Sequence, residues 1–352
     1  MRLLFWAVLI FLAIFRILTF KTPFSDGQKI RINNRVFQEP LKTGAFQKIN
    51  LGGLVVYLPA YPEINYGDEI TVEGTVENGE LTRAKVVSIG KTPGFLPSFR
   101  QRVIIFYRRS LPEPHASLIA GISLGSKSGL TWDFWDSLKK TGLAHVVVAS
   151  GTNVMMVASF LTSIAVFLVN RRLAIPFILL GIWLYAFLSG FDAPIIRAAI
   201  MASFVFVSQE LGRIAESFRI LLITGFMMLI IKPTWIYDLG FTLSFVSAGS
   251  LIIFQSKINK KIEKVPAIFR EGISTSLAAQ IGVAPILFVT FGQFNILSPI
   301  SNLLVLWSVP LIMVIGVIAA CIGLVIPFLG QLVLYLVYPL TSWFIWIVKT
   351  VA

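Results

Sequence analysis

The residues best able to do chemistry lie in Thr141 to Val157, TGLAHVVVASGTNVMMV, where His145, Ser150, Gly151, Thr152 and Asn153 interrupt an apolar run. A nucleophilic serine needs a base within hydrogen-bond reach and a third group to orient that base. His145 precedes Ser150 by five residues, but no acid partner is visible, so the pattern does not predict an enzyme. The second chemistry open to such a cluster is lining a polar path. At membrane depth, loosened backbone survives only where protein or a water-filled cavity satisfies its freed groups. The stretch therefore predicts a broken or kinked segment inside a helical bundle.

Further polar candidates are spread along the apolar blocks. Asp192-Ala193-Pro194 reads as a helix start, with Asp as cap and Pro in an early helical position, and Arg197 follows one turn inside. Asp238 is a second charge at membrane depth, and Gln280, Gln293, Asn295, Ser298 and Asn302 lie on or between later helices. As a set, His145, Ser150, Gly151, Asn153, Arg197, Asp238, Gln280 and Asn302 are candidates for lining a path. Each also has a structural reading. The polar residues can satisfy neighbouring helices, Arg197 can reach headgroups, and Asp238 can pair with Lys232 or Arg197. Two histidines and one cysteine, Cys321, lie far apart, so no metal or cofactor is expected. Cys321 itself reads as a small core residue.

The elements that must position these residues follow from composition. The chain of 352 residues is 56% hydrophobic and 13% charged, with a mean hydropathy of +0.82. Long apolar runs with so few charges mark a polytopic α-helical membrane protein. The run Leu3 to Phe20 reads as an uncleaved first transmembrane helix, with Arg16 snorkelling to the interface. Apolar blocks near 143–169, 174–190, 194–208, 218–232, 235–255, 273–291, 298–323 and 328–349 bring the expectation to about nine membrane segments. With the N-terminus inside, the loops at 170–173, 209–219 and 256–271 carry nine Lys and Arg, whereas the intervening loops carry at most Lys232. That asymmetry fits the positive-inside rule.

Between the first helix and these blocks the pattern changes to strand-like alternation, with turn signals at Pro40, Pro59 and Asn78-Gly79. Residues 21–95 therefore predict an external β domain small enough for a five-stranded OB-like barrel. Residues 21–48 carry six basic and two acidic side chains, and residues 61–80 carry six acidic and no basic ones. A single basic face would suit single-stranded nucleic acid, although Phe37, Phe46 and Tyr57 could equally be core. The linker at 96–140 predicts an amphipathic basic helix near 99–111, then re-entrant or surface-lying segments, one of them capped by Thr131. The bundle proper is expected over 141–352.

Several motifs in fixed order carry a family resemblance. LPEPHASLIAGISLGSKSGL, TGLAHVVVASGTNV and SGFDAPIIRAAIMA, followed by FRILLITGFMMLIIKPTWIYDLGFTLSFVSAGSL and SLAAQIGVAPILFVTFGQFNILSPISNLLV, resemble the ComEC competence family of DNA-uptake channels over about 111–325. The resemblance implies a multi-pass protein of the bacterial cytoplasmic membrane that passes single-stranded DNA during natural transformation. It also implies an external OB-fold domain, a cytosolic helicase-like ATPase and an extracellular DNA receptor as partners, besides membrane lipids. No GxxxxGK[ST] loop occurs, so the chain itself is not expected to drive import. Two departures stand out. The family usually has Ser-Gly-Leu-His where this chain has Ser150-Gly151-Thr152-Asn153, and Asn does not change charge near neutral pH. Many members continue into a metallo-β-lactamase-like domain, but no HxHxDH-type run occurs here. The nuclease half is expected to be truncated, separately encoded as a partner, or never present. A small-solute or lipid-related transporter on the same scaffold, or a membrane scaffold for such a nuclease, are the other functions the residues allow.

Overall fold

The computed structural model describes residues 2–20, 24–43, 46–77, 79–90, 94–148, 150–168, 170–291 and 297–352. Helix α1 (Arg2–Thr19) leads into a sheet of β1 (Lys29–Arg35), β2 (Leu41–Thr43), β3 (Phe46–Leu51), β4 (Leu54–Pro59), β5 (Glu69–Glu77) and β6 (Glu80–Gly90). The strand order is β1-β5-β6-β4-β3-β2, antiparallel except for a short parallel contact between β4 and β6. The turn between β5 and β6 is tight, with Glu77 opposite Glu80 and Gly79 at φ +76°; Asn78 of the predicted hairpin lies outside the described residues. Alternation does its work in β3 and β4. Ile49, Leu51, Leu54, Val56 and Leu58 point into a core that Ile32, Val36, Ile70, Val72 and Leu81 complete. Gln47 is the one polar side chain in the buried row of β3. It donates to the carbonyls of Pro59 and Pro62 and accepts from Ile64 N–H, stapling the loop after β4.

Two features of this sheet were open or differ from the sequence expectation. Phe37, Phe46 and Tyr57 are 48%, 57% and 44% exposed, so none belongs to the core. The basic and acidic segments, separate in sequence, become neighbours. β1 pairs with β5, which sets Arg31 opposite Glu73, with a salt bridge of 3.5 Å. Cross-strand pairing thus neutralises part of the expected basic face, because directly opposed side chains share one side of a sheet.

The remainder is helical: α2 (Phe95–Ser110), α3 (His115–Leu124), α4 (Trp132–Lys140), α5 (Ala144–Val147), α6 (Gly151–Leu168), α7 (Arg171–Leu188), α8 (Ala193–Glu210), α9 (Ser217–Ile231), α10 (Leu239–Lys261), α11 (Ala267–Phe291), α12 (Ser298–Val305), α13 (Ser308–Gly323), α14 (Pro327–Tyr335) and α15 (Tyr338–Val351). A short 3-10 turn, Pro233–Tyr237, joins α9 to α10. Among the described residues, α8, α10 and α11 are long and apolar enough to cross a membrane. There are five such spans if the bent pairs α12–α13 and α14–α15, angled at 45° and 47°, each count as one. The blocks 298–323 and 328–349 therefore break in the middle, the first between Val305 and Ser308. Pro285 sits inside an unbroken α11. Arg16 of α1 donates to the carbonyl of Ile230 near the end of α9.

α3 is buried along its length from Ala116 to Leu124, so this part of the linker does not lie on a surface. It is the central element of the main core, packed on α2, α13 and α15. α2 is amphipathic as expected: Val103, Ile104, Phe106 and Tyr107 are buried, while Arg102 and Arg109 stay exposed. The α4 cap also forms, Thr131 accepting from Phe134 N–H. Cys321 is exposed rather than core.

Candidate functional site

The break expected in Thr141 to Val157 lies between α5 and α6. Val148 adopts extended backbone, and α6 restarts at Gly151 with the Ser150 carbonyl accepting from Asn153 and Val154 N–H. The polar side chains at this kink pair with each other and with α3. Ser150 Oγ donates to Asn153 Oδ1 at 3.1 Å, and Asn153 Nδ2 donates to the Ile122 carbonyl near the end of α3 at 2.8 Å. Asn153, 1% exposed, accepts at one end and donates at the other, which a neutral amide does without any change of charge. Around it lie the buried hydroxyls of Ser123, Tyr185 and Ser189, which give the break a polar surround.

Arg197 faces this break from α8. Its Nε donates to Ser244 Oγ of α10 at 2.7 Å, and its guanidinium lies 5.9 Å from the centre of the Phe245 ring. The approach to α6 is close: a Cβ on Gly151 would stand 2.9 Å from a terminal nitrogen of Arg197. A side chain at this position would displace the guanidinium. The guanidinium therefore sits against the N-terminal end of α6, the positive end of a helix dipole. Among the described residues it has no carboxylate partner. Two positive groups held together in a half-buried site attract an anion, and backbone N–H groups of a helix start are suited to a phosphate.

The remaining candidates fall into place as follows. Asp238 forms no ion pair among the described residues with either Lys232 or Arg197; its carboxylate instead caps α10, accepting from Phe241 N–H at 2.7 Å. It lies near the same site, because Gly240 packs against Pro194 of α8. Asp192 stands at the N-cap of α8, but its side chain turns to Lys127 at 3.9 Å instead of capping. His145 Nδ1 bonds to the Gly142 carbonyl at 2.8 Å, away from Ser150. Asn302 is buried on α12 and donates to Ser276 of α11 at 3.0 Å. Gln280 lies half-buried on α11. The structure thus brings together Ser150, Gly151, Asn153 and Arg197 with Asp238 beside them, and does not join His145, Gln280 or Asn302 to that group. Gln293 and Asn295 lie outside the described residues.

A group that sequence reasoning missed fastens the sheet onto this end of the bundle. Glu39, between β1 and β2, accepts from Arg100 of α2 at 2.8 Å, from Ser126 Oγ at 2.7 Å and from the N–H groups of Lys127 and Ser128 at 3.1 and 3.3 Å. Burial alone would push the Glu39 carboxyl up. The charge of Arg100 and these hydrogen bonds outweigh it and hold the group below its ordinary range. Tyr66 stacks under Arg100, 4.9 Å from ring centre to guanidinium carbon, and donates to the Phe187 carbonyl at 2.7 Å. Burial pushes the Tyr66 phenol up to about 12, against the pull of Arg100, so it stays a donor. A signal was present in the sequence: Gly125-Ser-Lys-Ser-Gly129 is a loop of small residues able to aim N–H groups at an anion, and its anion is supplied by this chain.

Comparison with known proteins places these features in a family. Residues 122–352 match the family model described as Competence protein. ComE operon protein 3 of Bacillus subtilis (strain 168) is 27% identical over 208 residues, 59% of this chain and 26% of that protein. The uncharacterized protein YcaI of Escherichia coli (strain K12) is 23% identical over 235 residues, 63% of this chain and 31% of that protein. The chain thus spans about a quarter to a third of the length of these relatives. No solved structure matches.

Proposed function

Since the chain belongs to the competence-protein family, we propose that it is the membrane channel part of a DNA-uptake system, passing single-stranded DNA across the bacterial inner membrane. Family membership supports a role in DNA uptake. The observation that carries the finer reading is Arg197, set without a carboxylate partner among the described residues against the start of α6 at Gly151. Single-stranded DNA is a polyanion, and a path for it needs fixed positive groups spaced among neutral polar ones. Ser150, Asn153 and the Ile122 carbonyl supply the neutral part. In this reading the shorter apolar helices complete about nine membrane segments, and the six-stranded sheet is an OB-like domain on the outer side. A curling sheet supports that, since Gly52 after β3 approaches Ile32 and Asn34 of β1.

The reading gives the chain no catalytic step. Ser150 donates to Asn153 and His145 bonds to the Gly142 carbonyl, so the two are not bonded to each other. Driving force would come from a cytosolic helicase-like ATPase and delivery from an extracellular DNA receptor.

The test follows labelled DNA into cells lacking the gene and complemented with wild type, Arg197→Ala or Arg197→Lys at matched membrane levels. Wild type should restore protected cytoplasmic DNA, Arg197→Ala should not, and Arg197→Lys should restore part of it by keeping the charge. DNA entry that is unchanged by deletion, in cells that do take up DNA, would sink the channel reading and leave a transporter or a nuclease scaffold in its place.

A further inference from the structure

A second feature lies where the sheet meets the helices, outside the group around Asn153. A cleft of about 230 Å³ opens there, with Asn34, Arg35, Phe37 and Asn50 on the sheet side and Phe191 and Lys232 on the helix side. The cleft has no acidic lining residue and two basic ones. Neither Arg35 nor Lys232 forms an ion pair among the described residues, although ion pairs neutralise Arg31, Arg100 and Lys127 nearby in the fold. Lys232 is held in place over the Trp235 ring at 5.5 Å.

The aromatic lining is as informative as the charge. Phe37 is 48% exposed, and burying such a ring would be favourable. Phe191 has φ +53°, a left-handed backbone that is uncommon for a bulky non-glycine residue. Phe187 packs edge-on against it at 5.4 Å. Two rings, two free cations and the amides of Asn34 and Asn50 thus converge from both sides of one cleft. Its volume is below that of a drug-sized site, enough for a base with part of its sugar. Ile196, the neighbour of Arg197 in α8, also lines it, so the cleft borders the element that carries the charge of the proposed path.

We infer that this cleft is an entry subsite for single-stranded DNA, in which a base stacks on Phe37 and Phe191 while Arg35 and Lys232 take the adjoining phosphates. Stacking on aromatic side chains accepts any base, and cations in the same groove track the backbone. The inference rests on the channel reading and assigns it a mouth made jointly by the sheet and the bundle.

Binding of a short labelled oligo-dT to the purified full chain in lipid nanodiscs tests it, beside an abasic oligomer of the same length. Wild type should prefer oligo-dT. Phe37→Ala, at an exposed position that leaves the core intact, should weaken oligo-dT binding about five- to tenfold and leave the abasic oligomer unchanged. Lys232→Ala should weaken both and make the plot of log affinity against log salt shallower by about one. Wild-type binding by both variants, alongside weakened binding by Arg197→Ala, would overturn the cleft but keep the channel. Loss in Lys232→Ala with no preference for bases would also overturn it, since stacking would then play no part. Absence of any salt-dependent oligonucleotide binding by wild type would remove the channel reading as well.

Discussion

The attachment of the sheet to the bundle gives the sharpest prediction, because it depends on one carboxylate. Glu39 is 11% exposed at its side chain and Arg100 is 4% exposed, so both charges depend on each other. Glu39→Gln keeps the shape but removes the charge, and turns an amide NH2 toward groups that are themselves donors. Breaking a buried ion pair by altering one partner costs about 3–5 kcal/mol. The glutamine retains one acceptor oxygen, so the low end, about 3 kcal/mol, applies here, which is roughly a hundredfold change in the docking equilibrium. The natural reporters are the amides of Lys127 and Ser128, whose N–H groups point at Glu39. Their hydrogen exchange should accelerate by up to about a hundredfold, while the amides of β3 and β4, held by strand pairing, keep their protection. Unchanged protection of Lys127 and Ser128 would refute the claim that Glu39 holds the domains together. Loss of protection throughout β3 and β4 would show instead that the variant unfolds the sheet.

The same carboxylate makes docking acid-sensitive. Because its folded pKa is lowered, its contribution is complete above the ordinary carboxylate value of about 4.3 and is lost as pH falls through the lower folded value. Energy transfer between labels on sheet and bundle should therefore drop only in that acid window, and should show no such step in Glu39→Gln. Gly151→Ala brings a methyl group against the movable end of Arg197, so thermal unfolding should show a change within about 1 kcal/mol, while DNA uptake should fall because the guanidinium is displaced from the start of α6. Uptake at the wild-type level would mean that this close approach is not part of the path. Asn153→Asp removes the donor to the Ile122 carbonyl and buries a charge, so stability should fall by at least about 1–3 kcal/mol near neutral pH. A wild-type melting temperature there would show that the Asn153 amide is not required.

Local signals were legible where the physics is local. The interruption of an apolar run by Ser150, Gly151 and Asn153 predicts the break between α5 and α6, because no other element is needed to see it. The same holds for the Thr131 cap, the Gly79 turn and the exposed arginines of α2. What was not legible depends on which strands and helices meet. The basic segment containing Arg31 looked like one face until β1 paired with β5 and brought Glu73 opposite. Asp238 looked like an ion-pair partner for Lys232 or Arg197, yet the nearest donor to satisfy was the N–H of Phe241 at the start of its own helix. Phe46 reads as a core residue, and its exposure follows only from the pleat direction of β3 in the finished sheet; Phe37 lies just beyond the end of β1 and is exposed there. Glu39 itself carries no local signal, since its partners, Arg100 of α2 and the loop at Ser126 to Ser128, lie more than sixty residues away.

Charge placement unites the parts. An unpaired cation on an open surface is ordinary, but a half-buried one is held at a cost in solvation. This chain does neutralise such cations where it can: Arg100 with Glu39 and Lys127 with Asp192. It leaves Arg197, Arg35 and Lys232, all half-buried, without carboxylates among the described residues; Arg35 and Lys232 line the cleft between sheet and bundle, and Arg197 stands at the break before α6. An acidic side chain in the cleft would stabilise the empty protein while repelling a polyanion. A ligand that brings its own phosphates reverses that balance, since each phosphate neutralised releases counterions. On this argument, adding a carboxylate by Asn50→Asp should leave stability unchanged or raised while weakening oligonucleotide binding. A variant that gained neither stability nor discrimination against the strand would show that Arg35 and Lys232 are not acting on a common anion.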